Sequence, residues 1–424
     1  MAERETFFGE AVGAAERDVL RTLGGAGERL IETVIDWSGM NTSSANLDGL
    51  ARMAGILKTS FAGLATEPAL LEPAPVETID ANGEVRAIRR GRNLHLGVRE
   101  RAPVQVLLAG HMDTVFPKDD AFQAAVWREP GILNGPGVAD MKGGLLVMLE
   151  ALKALEASPW AGRLGYQVVI NSDEEVSSIG SAALLTEAAG RAQVGMVYEP
   201  ATTPEGVLAA ARKGMAAFTL VARGVSTHAG RDHASGRNAV VAAADFAVRA
   251  ASLSGAREGL TINVGRIEGG GPTNVVPDLA LCRLEARVAT HADRRWIEAE
   301  LARLAAAVGA DHQLALELHG RFTRPPKPFD ASTQALFEAV ARCGADLGQP
   351  ISWRATGGCC DGNNLAETGL PVVDTLGVRG GLIHSRDEFL ITDSLVERAQ
   401  LSALLLMRLA SGAIPCPPRI GTAA

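Results

Sequence analysis

No apolar stretch in these 424 residues is long enough to span a bilayer. The opening MAERETFFGEAVGAAERDVL carries charges throughout, where a signal peptide needs an unbroken apolar core. Both absences point to the cytoplasm and exclude a membrane-embedded role. Cysteine is scarce and scattered: Cys282, Cys343, Cys359, Cys360 and Cys416 are an odd number without C-x-x-C spacing, so neither a disulfide framework nor a thiolate zinc site is expected. Positive charge is not in excess. Lys and Arg total 41 against 49 Asp and Glu, a net charge of −8 with the signs interspersed, which argues against nucleic acid as a partner. There is no internal repeat and no low-complexity stretch, and IPCPPRIGTAA reads as a frayed tail. What is present is an ordinary globular composition, 47% hydrophobic and 21% charged. The length suffices for two domains at roughly 100–200 residues each.

The first ~65 residues follow the 3.6-residue apolar period of helices; Leu47, Leu50, Met53, Ile56, Leu57, Phe61 and Leu64 form one stripe. From residue 93 the pattern alternates. Strands are expected at VQVLLAG (104–110), YQVVIN (166–171) and VGMVYE (194–199), with helices at 141–157 and 181–189. Apolar residues on both strand faces, alternating with helices, predict an α/β domain with a mostly parallel central sheet, whose sites lie at the carboxyl ends of its strands. Between Met215 and His319 the order becomes β-α-β-β-α-β, the ferredoxin-like arrangement. A helix at 331–346, a short strand PVVDTL and a closing helix SLVERAQLSALLLMRLA then resume the α/β character. One domain is thus expected inside another, with residues 1–213 and 324–424 forming the outer domain and 214–323 the insertion.

The strand ends carry the chemistry. AGHMDTVFP supplies His111 and Asp113, which point the same way in an extended segment, so Asp113 can fix the tautomer of His111. YQVVINSDEEVSSIGS ends its apolar run in Asp173, Glu174 and Glu175, a cluster that is costly unless a cation faces it. VYEPA supplies Glu199, NGPGVADMKGG supplies Asp140 and GVRGGLIHSRDEF supplies His384. Singly, each has a plainer reading: an Asp before a helix is usually an N-cap. A lone histidine is usually a satisfied polar residue, the reading kept for His95, His233, His291, His312 and His319. The convergence of independent strand ends on one sheet edge favours a metal site. Nitrogen and carboxylate ligands without thiolate suit catalytic Zn²⁺, with Mn²⁺ or Co²⁺ as alternatives. Two histidines and three or more carboxylates exceed the needs of one tetrahedral ion and fit two bridged ions ~3.5–4 Å apart.

HMDTVFP, GPGVADMKGG, NSDEEVSSIGS, YEPA, STHAG and IHSRDEF, in this order around a ferredoxin-like insertion, resemble the M20 family of metallopeptidases, and within it the glutamate carboxypeptidase (carboxypeptidase G2-like) branch. The resemblance covers about residues 90 to 410 and implies a zinc-exopeptidase-like catalytic domain with an inserted lid and dimerisation domain. It implies that His111 and Glu199 bind one zinc, Glu175 and His384 the other, and that Asp140 bridges them. Glu174 is then the general base and Asp113 orients His111. His228 in GVSTHAG matches a lid histidine that stabilises the oxyanion in the partner's site of a homodimer. Asn274 and Arg287 match positions that bind a substrate carboxylate; Arg324 lies near another recognition position, as do Arg212 and Lys213. The departure is TGGCCDGNN, where Cys359 and Cys360 replace small or hydroxyl residues, which bears on specificity and predicts sensitivity to oxidation. The implied activity is dizinc hydrolysis of a small amide or peptide, releasing an amino acid with a free carboxylate. The alternatives are an N-acyl amino acid deacylase, amidase or dipeptidase on the same scaffold, and a non-catalytic dimeric metal- or ligand-binding relative.

Overall fold

The computed structural model describes residues 8–420. A six-stranded sheet forms the centre, in the order Ala69–Leu71, Asn93–Val98, Leu164–Asn171, Val104–His111, Val194–Val197, Val372–Val373. The last four run parallel, and the first two add antiparallel at one edge. Successive side chains of a strand face opposite ways. Val106 and Leu108 accordingly enter a core with the helices Gly143–Glu156 and Asp393–Ser411, while Leu107 and Ala109 pack with Leu185, Ala188 and Leu365 on the other face. This two-sided cover explains the unbroken apolar strands. The early helices Ala14–Gly24, Gly27–Ser38 and Leu47–Phe61 close the larger core, and Leu50, Met53, Leu57 and Phe61 of the expected stripe are buried.

The register positions the site. His111 pairs with Asn171, and the Tyr198 N–H donates to the Ala109 carbonyl, so the carboxyl ends of three neighbouring strands open onto one edge. Across that edge lies a small antiparallel sheet of Val126–Glu129, Ile132–Asn134, Phe389–Ile391 and Gly380–Gly381, which carries the His384 loop.

The second sheet has the order Thr261–Gly269, Leu279–Val288, Gly214–Arg223, Ala315–Arg324, antiparallel throughout. Helices Ala239–Ala251 and His291–His312 cover one face around a separate apolar core. This is the ferredoxin-like order. Its last strand begins later than the sequence pattern suggests, because the preceding helix continues to His312 and ends on Gln313 in left-handed conformation, φ 53°. One element escaped the sequence reading, a hairpin of Val76–Ile79 and Val85–Ile88. Its Ile79 packs on Val221 and Leu281 of the second sheet, and Arg283 Nη2 donates to the Ile79 carbonyl at 2.8 Å. No helix among the described residues is long and apolar enough to cross a membrane.

Candidate metal centre

Two groups of three potential ligands share one residue. His111, Asp140 and Glu199 form the first, and Asp140, Glu175 and His384 the second, with the ligand atoms of each group within 4.8 Å of one another. His111 Nε2 lies 3.1 Å from Asp140 Oδ1 and 3.7 Å from Glu199 Oε1. His384 Nε2 lies 3.2 Å from Asp140 Oδ2 and 3.2 Å from Glu175 Oε2. Asp140 therefore turns one oxygen to each histidine, the disposition of a bridging carboxylate. It is not an N-cap, because the regular helix begins at Gly143 and Lys142 holds the cap position.

Local folding places each side chain. After Asn171 the chain leaves strand geometry and Glu174–Val176 forms a single 3₁₀ turn, so Glu174 and Glu175 need not alternate as strand neighbours would. Asp113 fixes this turn. Its carboxylate accepts from the Glu174 and Glu175 N–H groups at 3.1 and 3.2 Å and from Ser44 Oγ at 2.7 Å. His111 Nδ1 lies 3.0 Å from the Asp113 main-chain carbonyl and 3.4 Å from its Oδ1, so Asp113 orients the imidazole through its backbone and side chain together and anchors the acidic turn. Glu388, fully buried, does the same for the Asp140 loop by accepting from the N–H groups of Gly137, Ala139 and Asp140 at 2.9–3.1 Å. His384 is left-handed, φ 62°, a conformation that non-glycine residues keep only where their surroundings impose it. The pairs Arg386–Asp120 and Arg128–Asp387 tie its loop to the 116–129 segment.

The charges do not balance without cations. Burial and the charge of Asp140 push Glu175 up to about 7, and the same two causes raise Glu199. Burial pushes Glu174 well above the carboxylate range although Arg324 opposes it. Hydrogen bonds to Asp140 and Glu175 raise His384 to about 11. Burial alone would lower His111, but Glu199, Asp113 and Asp140 outweigh it and raise it. Burial likewise opposes the ionised form of Asp140, yet His111 and His384 hold that carboxyl below its usual range. Three carboxyls, Glu174, Glu175 and Glu199, and two imidazoles, His111 and His384, are all raised, the signature of a cluster short of positive charge. A donor set of imidazole nitrogen and carboxylate oxygen at these spacings fits a pair of divalent ions.

A cavity of about 550 Å³ opens onto this cluster, lined by Arg212, Arg287, Arg324, Cys359 and Cys360 among others. Arg287 points into it while pairing with Glu285 at 2.6 Å and donating to the Gly357 carbonyl at 2.7 Å. Arg324 is enclosed rather than free, with Glu174 and Asp361 as carboxylate partners at 2.7 and 2.8 Å. Arg212 is committed to Asp374. His228 and Asn274 lie away from the cavity on exposed neighbouring loops, where the Ala229 N–H donates to the Asn274 carbonyl. His228 Nδ1 accepts from the Gly230 N–H at 3.0 Å, which leaves Nε2 as the protonated, donating nitrogen. Burial pushes the thiols of Cys359 and Cys360 above the ordinary range, which disfavours thiolate. Sequence reasoning missed Ser44, Asp361 and Glu388; the only signal for Glu388 was its place four residues after His384.

Comparison with known proteins agrees with this geometry. The sequence profile of peptidase family M20/M25/M40 matches residues 107–408. Carboxypeptidase G2 of Pseudomonas sp. (strain RS-16) is 29% identical over 329 residues, covering 76% of this chain and 78% of that protein. A succinyl-diaminopimelate desuccinylase of Cereibacter sphaeroides is 33% identical over 309 residues, covering 66% and 76%. A tripeptidase structure from Staphylococcus aureus superposes with a TM-score of 0.69 at 22% identity, covering 91% of this chain and 99% of that one, a likeness of fold.

Proposed function

Because this chain belongs to peptidase family M20/M25/M40 and is a metal-binding hydrolase of that family, we propose that it cleaves an amide or peptide bond to release an amino acid with a free carboxylate. The observation that carries this reading is Asp140, whose two oxygens face two histidines while Glu174 lines the same cavity. His111, Asp140 and Glu199 would hold one ion and Asp140, Glu175 and His384 the other, with zinc the metal that the donor set favours. Such a pair, when bound, supplies Lewis acidity towards the scissile carbonyl and towards water.

The chain's own residues carry the protons. Glu174 Oε1 is held by Arg324, and among the described residues its other oxygen makes no hydrogen bond. That oxygen takes the proton of the attacking water and returns it to the leaving nitrogen. Asp113 keeps His111 and the Glu174 turn in register, so acid and imidazole hold one geometry through both transfers. Arg287, at the cavity wall and held by Glu285 and the Gly357 carbonyl, supplies positive charge for the substrate carboxylate. The division at 213/214 and 323/324 makes the ferredoxin-like unit a lid, through which two copies pair. His228 and Asn274, remote from their own cavity, then serve the partner's site, with His228 Nε2 as oxyanion donor.

The similarity to a desuccinylase favours a second reading, removal of an acyl group from a small N-acyl amino acid by the same residues. The test is metal content per chain for wild type and Glu174→Ala, with hydrolysis of N-acyl glutamates, peptidyl glutamates, other N-acyl amino acids and dipeptides. Two metals in both proteins, with turnover only by wild type, is the expected result. A metal-replete wild type that cleaves none of them overturns the reading, and the preferred leaving group separates carboxypeptidase from deacylase.

A further inference from the structure

The loop TGGCCDGNN contains a buried acid that the mechanism above does not use. Asp361 is 1% exposed. Its Oδ1 accepts from Ser178 Oγ at 2.6 Å and from Arg324 Nη1 at 2.8 Å, and its Oδ2 accepts from Asn171 Nδ2. Arg324 in turn spends Nη2 on Glu174, donating to Oε1 at 2.7 Å and to the main-chain carbonyl at 3.1 Å. Ser178 Oγ donates to Asp361 and accepts from Arg324 at 2.9 Å, cross-linking the two, and Asn364 Oδ1 takes the remaining Nη1 contact at 2.8 Å. The result is a buried carboxylate–guanidinium–carboxylate chain running from Asp361 to Glu174.

Its occupied fork decides what it can do. Both terminal nitrogens of Arg324 already donate to an acid, so a substrate carboxylate brought to Arg324 would have to displace Glu174 or Asp361. The planar fork, by contrast, suits a part that spans two fixed acceptors, one for each terminal nitrogen. We propose that Asp361 is a positioning residue for the hydrolysis: it fixes Arg324, and Arg324 fixes the carboxylate of Glu174. Arg324 thereby becomes a brace for the proton carrier rather than the free recognition fork that its place at a domain junction suggests in the sequence. The inference rests on the proton-carrying role assigned to Glu174.

The test is Asp361→Asn in the full, metal-loaded chain, which keeps the shape and removes the charge that pins Arg324. A displaced acid–base group costs about 10²-fold in rate. The expected result is therefore a fall of that order in kcat, with KM and metal content near wild type and the preference for an N-acyl glutamate over its α-amide unchanged. A crystal structure of the variant should show Glu174 re-oriented. Unchanged kcat, or a raised KM with loss of the acid-over-amide preference, overturns the proposal, the second outcome by making Arg324 a substrate ligand. If Asp361→Asn does not fold, Ser178→Ala removes the cross-link at little cost in volume. It should give the same split between kcat and KM at smaller amplitude, and wild-type kcat there is an overturning result. A wild type inactive on every substrate defeats the hydrolase reading instead, and the position of Glu174 in the variant crystal still decides whether Asp361 sets it.

Discussion

Asp374→Asn tests whether the cavity wall at Arg212 is held by a buried ion cluster. Asp374 is fully buried; it receives Arg212 through Nε at 2.9 Å and Nη2 at 3.1 Å, and Lys327 Nζ lies 2.9 Å from Oδ2. Arg212 and Lys327 are 7% and 1% exposed, so neither cation can turn to water when the carboxylate charge is removed. Breaking a buried pair from one side costs about 3–5 kcal/mol. At roughly 2–4 °C per kcal/mol this corresponds to a fall of about 6–20 °C in Tm. Arg212 Nη1 also donates to the Gly358 carbonyl at 3.2 Å, so the variant should loosen the Gly358–Cys360 wall of the cavity as well. The pH dependence has a definite sign. Burial alone would raise Asp374, but Arg212 and Lys327 outweigh it and hold the carboxyl below its usual value. Its contribution is therefore complete above the unfolded pKa of about 3.9 and is lost as pH falls through the depressed folded value. The assay is thermal and urea unfolding of chelated wild type and variant from pH 8 to pH 3. A Tm gap that is constant down to about pH 5 and narrows below pH 4 is expected. A gap under about 2 °C at pH 7 refutes the reasoning. Lys327→Met added to Asp374→Asn removes the surplus cation and should recover part of the loss.

Metal uptake should release protons, because His384, raised to about 11 by Asp140 and Glu175, and His111, raised by its acids, must be neutral to act as ligands. Affinity then rises with pH, and calorimetry in buffers of different ionisation heat should show the released protons; uptake without release contradicts the assignment. Glu388→Gln weakens the acceptor of three N–H groups around Asp140, and chelator competition should show metal affinity reduced by about 10–100-fold. Mixing inactive His228→Ala and Glu174→Ala chains should restore activity through hybrid dimers with one intact site, whereas an inactive mixture removes His228 from the partner's site.

The sheet was legible because its strands are apolar on both faces, a pattern that only two-sided helical cover explains, and Val106 to Ala109 show that cover directly. The ligand positions were legible for a related reason: His111, Asp173 to Glu175 and Glu199 interrupt apolar runs abruptly, and the parallel register brings those interruptions to one edge. Asp140 was ambiguous, since an acid before a helix reads equally as a cap, and only the two histidines on its two oxygens distinguish the cases. The 76–88 hairpin was missed despite its Asn82–Gly83 turn, because its strands span only four residues each and mostly face solvent.

Long-range charge pairing escaped the sequence for a deeper reason. Arg324 reads as a junction arginine because its partners, Glu174 and Asp361, lie 150 residues before it and 37 after it. Arg212 likewise reads as surface or recognition charge until Asp374, 162 residues on, is placed against it. The same residue types make both the structural clusters and the metal centre, and local pattern cannot separate them. Charge balance can. Around Asp374 the cations outnumber the acid, Lys327 Nζ donating also to the Ala210 carbonyl at 2.8 Å, and no carboxylate lacks a cationic partner. Around Asp140 three carboxylates, Asp140, Glu175 and Glu199, share two imidazoles, a donor set that takes cations from outside the chain. A buried cluster whose carboxylates outnumber the cations around it is where an exogenous cation belongs, and this imbalance, rather than any single motif, separates the candidate metal centre from the structural clusters.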